Sequence, residues 1–384
     1  MIKRGQQLYW RPSRVPIPVM VALAVVSILC VTAVETFKGQ DDVADYYDVM
    51  LKASRQAEQG MEYLRPLRGR VEPIDPSVDP RRTGMVGVAS SRVTSNSGHL
   101  PAKLTSVNPN WAAVAVKLLV KAGVREGDVV AVAVSGSFPA INLAVYSALE
   151  ALGAEPVVIA SASASQWGAN VPGFVWLDMA RELRDGGIIK TKARAATLGA
   201  REDIGGGLSQ TGIASLKGSL SKAEVPLLDV SGYRQSVARR IALYREEADG
   251  RPIKAMVNVG GGIATTGPPG IDGLFETGLS YAAPKRAFAA PSVLGYFLDE
   301  GVPVIHFSGI AGLAARHGLP EVMAEDPAIG EGGVYTARQY RRWLAGTLIL
   351  VLLGVTTLAM RSANLALNVD QPGEKPKGLL RPKV

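Results

Sequence analysis

Cysteine is almost absent: the only one among 384 residues is Cys30, inside an apolar run. A single thiol excludes an intrachain disulfide and any cysteine-based metal cluster. Histidine is scarce too. His99, His306 and His317 are the three present, and their spacing is not that of a zinc site. A transition metal would have to be assembled from distant ligands, so no metal is assigned. Basic residues do not alternate with aromatics as a single-strand nucleic-acid groove requires. The net charge of +8 is gathered at the two ends of the chain, where acids are few. That distribution argues against nucleic acid as a partner and for basic flanks beside a lipid bilayer.

The ends carry the long uncharged runs. Lys3, Arg4, Arg11 and Arg14 make 1–14 a basic tail, and Val15 to Val34 then has no charge at all. A bilayer takes about 20 apolar residues as a helix, so 15–36 is expected to span. A cleaved signal would need a small-residue site, and Thr32-Ala33-Val34 is only loosely small. A lipoprotein site at Cys30 would want a small residue where Leu29 stands. A retained anchor is therefore favoured. Trp343 to Met360 is a second, shorter uncharged run, so 338–361 is expected to span and 362–384 to be a second basic tail. Two spans put both tails on one side. Their basic residues place that side in the cytoplasm and the domain between them outside.

Between the runs the pattern alternates. An amphipathic helix is expected over Asp41–Leu64 and a Pro-rich linker over Pro66–Pro80, so 37–83 reads as helix and linker. The domain proper is expected over 84–335, as one lobe or two. Its first strand would be Gly84–Ala89, followed by a helix that Asn108 caps, with Pro109 in its first turn. Asp128–Val134 has the β-branched run of a strand buried on both faces, Ser135-Gly136-Ser137 is a turn, and Pro139 opens a helix that stops at Gly153. Glu155–Ala160 is the next strand, and a helical crossover between such strands implies parallel pairing. Helices are expected over Phe174–Leu183, Gln210–Leu220, Tyr233–Glu247 and Ser292–Glu300. Strands are expected near Thr191–Leu198, Pro252–Val259 and Val302–His306. The class is α/β, a mainly parallel sheet layered with helices and flanked by two transmembrane helices.

In such a sheet, chemistry belongs where strands end. Ser135, Gly136 and Ser137 form the best candidate. Three roles stand open for Ser137: helix cap, ligand anchor through the turn's N–H groups, or nucleophile. The surrounding Ser-Gly-Ser-Phe-Pro is not a nucleophile elbow, since Pro139 replaces its last glycine. Asn258 with Gly260 and Gly261 ends another strand and permits close backbone approach. His306, at a further strand end, would serve as base towards Ser137 if their strands were neighbours. Asp203, before a glycine run, would bind a cation or offer a carboxylate. Lys103 could pair with Ser137, although nothing local in the sequence supports it.

Several segments together resemble the poly-γ-glutamate system protein family, found beside bacterial poly-γ-glutamate ligase and export components. They are Tyr46-Tyr47-Asp48-Val49-Met50, Thr105 to Asn110, Ser135-Gly136-Ser137-Phe138-Pro139-Ala140-Ile141-Asn142, Ser165-Gln166-Trp167-Gly168-Ala169-Asn170, Trp176-Leu177-Asp178-Met179 and Asp203-Ile204-Gly205. The resemblance covers roughly 41–340. It implies a role in making, exporting or handling the polymer at the bacterial inner membrane, with the ligase and export subunits and the anionic γ-glutamyl polymer as partners. It transfers no catalytic mechanism and no cofactor. The chain has no Walker A loop, which argues against its being the ATP-driven ligase. Asn142 and Asn170, in the two most specific segments, join the ligand-binding candidates. Three functions are carried forward: an accessory, polymer-binding subunit; an envelope hydrolase or transferase of γ-glutamyl amides that uses a serine nucleophile; and a structural domain whose two spans pair with a transporter.

Overall fold

The computed structural model describes residues 17–37, 42–43, 46–322, 328–337 and 342–369. The expected basic tail 1–14 lies outside them, as does the C-terminal tail beyond Val369. Two compact units are present, one built from the terminal segments and the other from Val43–Thr336.

The larger unit holds a six-stranded sheet. Its strands are β1 (Val129–Ser135), β2 (Glu155–Ser161), β3 (Ala193–Thr197), β4 (Ile253–Val259), β5 (Gly278–Ser280) and β6 (Val304–Phe307). Their order is β3-β2-β1-β4-β6-β5, all parallel except the edge strand β5. The chain builds outward from β1 through β2 to β3 and then crosses to β4 on the other side. Strand order therefore reverses between β1 and β4, where an open α/β sheet leaves a crevice at its carboxyl end.

The strand β1 is buried on both faces, as its unbroken Val/Ala run dictates. Val130, Val132 and Val134 enter one core, with residues of α2 (Tyr47–Val71), α4 (Trp111–Lys121) and α5 (Pro139–Leu152). Val129, Ala131 and Ala133 enter the other, with Tyr244 of α8 (Tyr233–Ala248) and Phe297 of α9 (Val293–Asp299). The result is three layers. Burial of each such valine contributes on the order of 1.5–3 kcal/mol. Pro139 sits in the first turn of α5, and Gly153, at φ 71°, ends it in the left-handed conformation that favours glycine. The other helices of this unit are α3 (Leu100–Ser106), α6 (Trp176–Asp185), α7 (Gln210–Lys222) and α10 (Ile310–Arg316).

Several boundaries differ from expectation. The helix expected over 41–64 is present but longer, and it belongs to the domain core instead of leading to it. Helix α2 runs through Pro66 to Val71, and its face of Met50, Ala53, Ala57, Met61 and Leu64 is buried in the core. Packing against α4 and α5 outweighs the one helical hydrogen bond that a proline removes. Gly84–Ala89 is not a ladder strand, because its partners are a loop and a side chain. Gly87 N–H donates to Trp167 O at 3.1 Å, Trp167 N–H to Val88 O at 2.9 Å, and Val88 N–H to Asn170 Oδ1 at 2.9 Å. The helix expected at Pro109 starts at Trp111, and Asn108 Oδ1 accepts from Asn110 N–H just before it. Phe174–Val175 pairs with Asn170–Val171 before α6 begins. The short strand β5 and helix α10 had no strong periodic signal.

In the smaller unit, α1 (Ile17–Thr36) packs on α11 (Arg342–Val369). With 20 residues and a mean hydropathy of 2.7, α1 is long and apolar enough to cross a membrane. The apolar stretch of α11, Trp343–Ala359, is shorter.

Candidate active site

Four chain segments meet at the carboxyl ends of β1, β2 and β4. Ser135 ends β1, and Gly260 follows β4. A Cβ on Gly260 would stand 3.0 Å from Ser135 Oγ, and its φ of +80° favours glycine, so the two strand ends approach as closely as the backbone permits. The segment after β2 folds over the turn. Gly136 N–H donates to Ser163 O at 3.2 Å, Gly136 O accepts from Ala169 N–H at 2.7 Å, and a Cβ on Gly136 would lie 2.8 Å from that of Ala164. Ser165 N–H donates to Ser137 Oγ at 3.2 Å.

Lys103 arrives from α3. Its Nζ donates to Ser165 Oγ at 2.9 Å and to Ser137 O, and it lies 3.8 Å from the centroid of the Phe138 ring. Only 3 % of Lys103 is exposed, and no carboxylate pairs with it among the described residues. Burial pushes its ammonium down to about 7. Ser165 retains 7 % exposure. Lysine and serine in such contact have the arrangement of a nucleophile and its base.

Ser137 is not the cap of α5. Phe138 holds that position, one residue nearer the helix than expected, and Ser137 Oγ is taken by the Ser165 amide instead. Nor does Ser137 meet His306. Strand β4 stands between β1 and β6, and His306 is opposite Asn258 in register. Asn258 Nδ2 lies 3.0 Å from His306 Nδ1 and donates to Gly260 O at 2.7 Å. Nδ1 of His306 is thus the acceptor. Desolvation pushes the His306 imidazole down to about 4, only partly offset by the Asn258 contact, so it is neutral at physiological pH.

Asn142 and Asn170 are fully buried and hold backbone. Asn142 Nδ2 donates to Ser135 O at 2.8 Å, which ties α5 to the end of β1. Asn170 Nδ2 donates to Val88 O at 2.7 Å and Thr94 Oγ1 at 2.9 Å. Asp203 is no free carboxylate: Arg240 of α8 pairs with it at 3.0 Å, and Thr197 Oγ1 donates to it at 2.8 Å. Gly261 is exposed, with open space where a Cβ would stand. Among the described residues no cluster of three or more His, Cys, Asp or Glu could hold a metal. A cleft of about 1010 Å³, lined by Lys52, Arg55, Lys190 and Arg194, opens near the amino end of β2, at the other end of the sheet from these groups.

Thus Ser135, Gly136, Ser137, Asn258 and Gly260 share the carboxyl end of the two central strands, and Asp203 belongs to a separate buried network. Sequence reasoning gave Ser165 no role. Its signals were the hydroxyl-rich run from Ser161 to Ser165 at the end of a buried strand and its place at the start of the segment Ser165–Asn170. The fold and site define an α/β domain that carries a buried lysine–serine pair at the carboxyl ends of β1 and β2, and among the described residues one helix is long and apolar enough to cross a membrane. No family model matches the chain, and no curated protein or solved structure matches it.

Proposed function

We propose that this chain is a membrane-anchored accessory component of a poly-γ-glutamate synthesis and export system, and that its α/β domain binds the anionic polymer outside the bacterial inner membrane. The observation that carries the reading is the meeting of the two segments most specific to the resemblance. Ser135–Asn142 and Ser165–Asn170 are distant in sequence, yet they close on each other at the carboxyl ends of β1 and β2. In the first turn of α5, Pro139 has no N–H and Asn142 N–H donates to Phe138 O, which leaves the amides of Ala140 and Ile141 to suit a carboxylate. Helix α1 supports anchoring. In this reading Trp343–Ala359 is the second span, both tails are cytoplasmic, and the ligase and export subunits are the partners.

The test is calorimetric titration of the full-length, detergent-solubilised protein with γ-linked glutamate oligomers. Saturable binding at least tenfold tighter than to α-linked oligomers is expected. Equal affinity, or no binding, overturns the reading. A reporter fused after Val384 should be active only in the cytoplasm, and periplasmic activity would sink the two-span topology. The second function, cleavage or transfer of γ-glutamyl amides, is favoured by the contact between Lys103 and Ser165 rather than by Ser137 and His306.

A further inference from the structure

We propose that Ser165 and Lys103 form a catalytic dyad for acyl transfer, in which Ser165 Oγ is the nucleophile and Lys103 Nζ the proton carrier, acting on a carboxylic amide or ester. The pair is held from several sides. The 2.9 Å contact between Nζ and Oγ is within the range of a nucleophile and its base. Ser137 O and the Phe138 ring fix the amine, and Ser137 Oγ fixes the nucleophile's own amide. Ser137 Oγ accepts that amide, and its proton is donated to no acceptor among the described residues. It therefore serves as a hydrogen-bond donor to a developing oxyanion. Ser137, which links the pair to the end of β1, stands beside the switch point: a Cβ on Gly260 would lie 3.6 Å from that of Ser137. A solvated lysine is a poor base at neutral pH. Here burial, with no carboxylate to hold the charge, leaves a substantial fraction as free amine.

The steps balance without a redox partner. Ser165 Oγ bonds to the carbonyl carbon as its proton passes to Lys103 Nζ. The bond from that carbon to the leaving nitrogen or oxygen breaks as Nζ returns the proton to the leaving group. Water then attacks the serine ester, gives its proton to Nζ, and the carbon–Oγ bond breaks as Oγ is reprotonated. An acceptor amine in place of water makes the same site a transferase. That the acyl group is γ-glutamyl rests on the function proposed above; the dyad itself does not.

The full-length protein in detergent is treated with a fluorophosphonate probe, which phosphonylates activated serines with loss of fluoride, and the adduct is mapped by peptide mass spectrometry. The label is expected on Ser165, absent in Ser165→Ala, and formed at least a hundredfold more slowly in Lys103→Met. Near-UV circular dichroism checks that each variant is folded. Folded wild-type protein that takes no label, a label on another serine, or wild-type labelling of folded Lys103→Met overturns the dyad. The mapping of wild-type protein decides even if both variants misfold. Hydrolysis of a γ-glutamyl anilide is measured separately: labelled protein that spares the anilide leaves the dyad in place and removes γ-glutamyl from its substrate class.

Discussion

Asp203 and Arg240 form a buried ion pair, Nη2 to Oδ2 at 3.0 Å, with side chains 5 % and 1 % exposed. Arg240 Nε also reaches Oδ2 at 3.2 Å, Thr197 and Ser161 bond to the pair, and Ser236 donates to Asp203. The network pins α8 to the loop after β3. Asp203→Ala strands a buried guanidinium and is expected to cost about 3–5 kcal/mol in urea unfolding. Replacing both partners, Asp203→Leu with Arg240→Met, should recover most of that loss. A single variant as stable as wild type would show that the pair holds nothing.

His306 makes the fold acid-sensitive. Its folded pKa is about 4, below the unfolded value near 6.5, so the unfolded chain binds the proton more readily. The stability from this group is complete above pH 6.5 and lost as pH falls towards 4. The loss is about 3 kcal/mol if nothing else titrates. His306→Asn keeps a polar partner for Asn258 and removes the titration, so the difference between the two stability curves should open across that window. Parallel curves would count against a desolvated imidazole.

The sheet was legible because its strands advertise themselves: Val129–Val134 of β1, Val157–Ala160 of β2 and Ala255–Val257 of β4 are runs of Val, Ile, Ala and Met, and Pro139 and Gly153 bracket α5. The edges were not. β5 is Gly-Leu-Ser, and its pairing comes from β6 rather than from its own residues. The site was half legible for the same reason. Ser135 to Ser137 follow a strong strand, whereas Asp203 resembled a cation site because its counter-ion lies 37 residues downstream on another element. Ser137 follows the end of β1 and His306 lies near the end of β6, but sequence does not state strand order, and one intervening strand is enough to separate them.

Gly260 sets how closely the ends of β1 and β4 approach. Gly260→Ala places a methyl 3.0 Å from Ser135 Oγ, at a backbone φ of +80°. Left-handed strain costs about 1–3 kcal/mol, so the melting temperature should drop while the protein stays folded. Binding of γ-glutamate oligomers should weaken more than the stability loss alone explains. Unchanged melting and binding would place the ligand elsewhere.

Asn170 ties the stretch around Val88 to the loop over the site through three hydrogen bonds, two of them with Val88 itself. Asn170→Ala leaves the Val88 amide without a partner, while the Val88 carbonyl keeps the Trp167 N–H, so the cost is about 1–3 kcal/mol for the one group left unpaired. Amide hydrogen exchange at Val88 should accelerate, with β1 still protected. Equal acceleration throughout the sheet would mean global destabilisation, and none would mean that the loop does not depend on Asn170.

Lys103 offers a thermodynamic check that needs no substrate. Its folded pKa of about 7 lies below the ordinary 10.5, so the fold favours the free amine and the unfolded chain the ammonium. The sign follows from linkage: the contribution is complete above pH 10.5, declines as pH falls, and is fully lost below pH 7. Lys103→Met has no such term. Relative to it, wild-type protein should lose about 4 kcal/mol of unfolding free energy between pH 10 and pH 7, and the difference should be flat below that. A difference that stays constant from pH 10 to 7 would mean that Lys103 is an ordinary ammonium in the fold, held by Ser137 and Ser165 as a structural donor and unable to take a proton from Ser165.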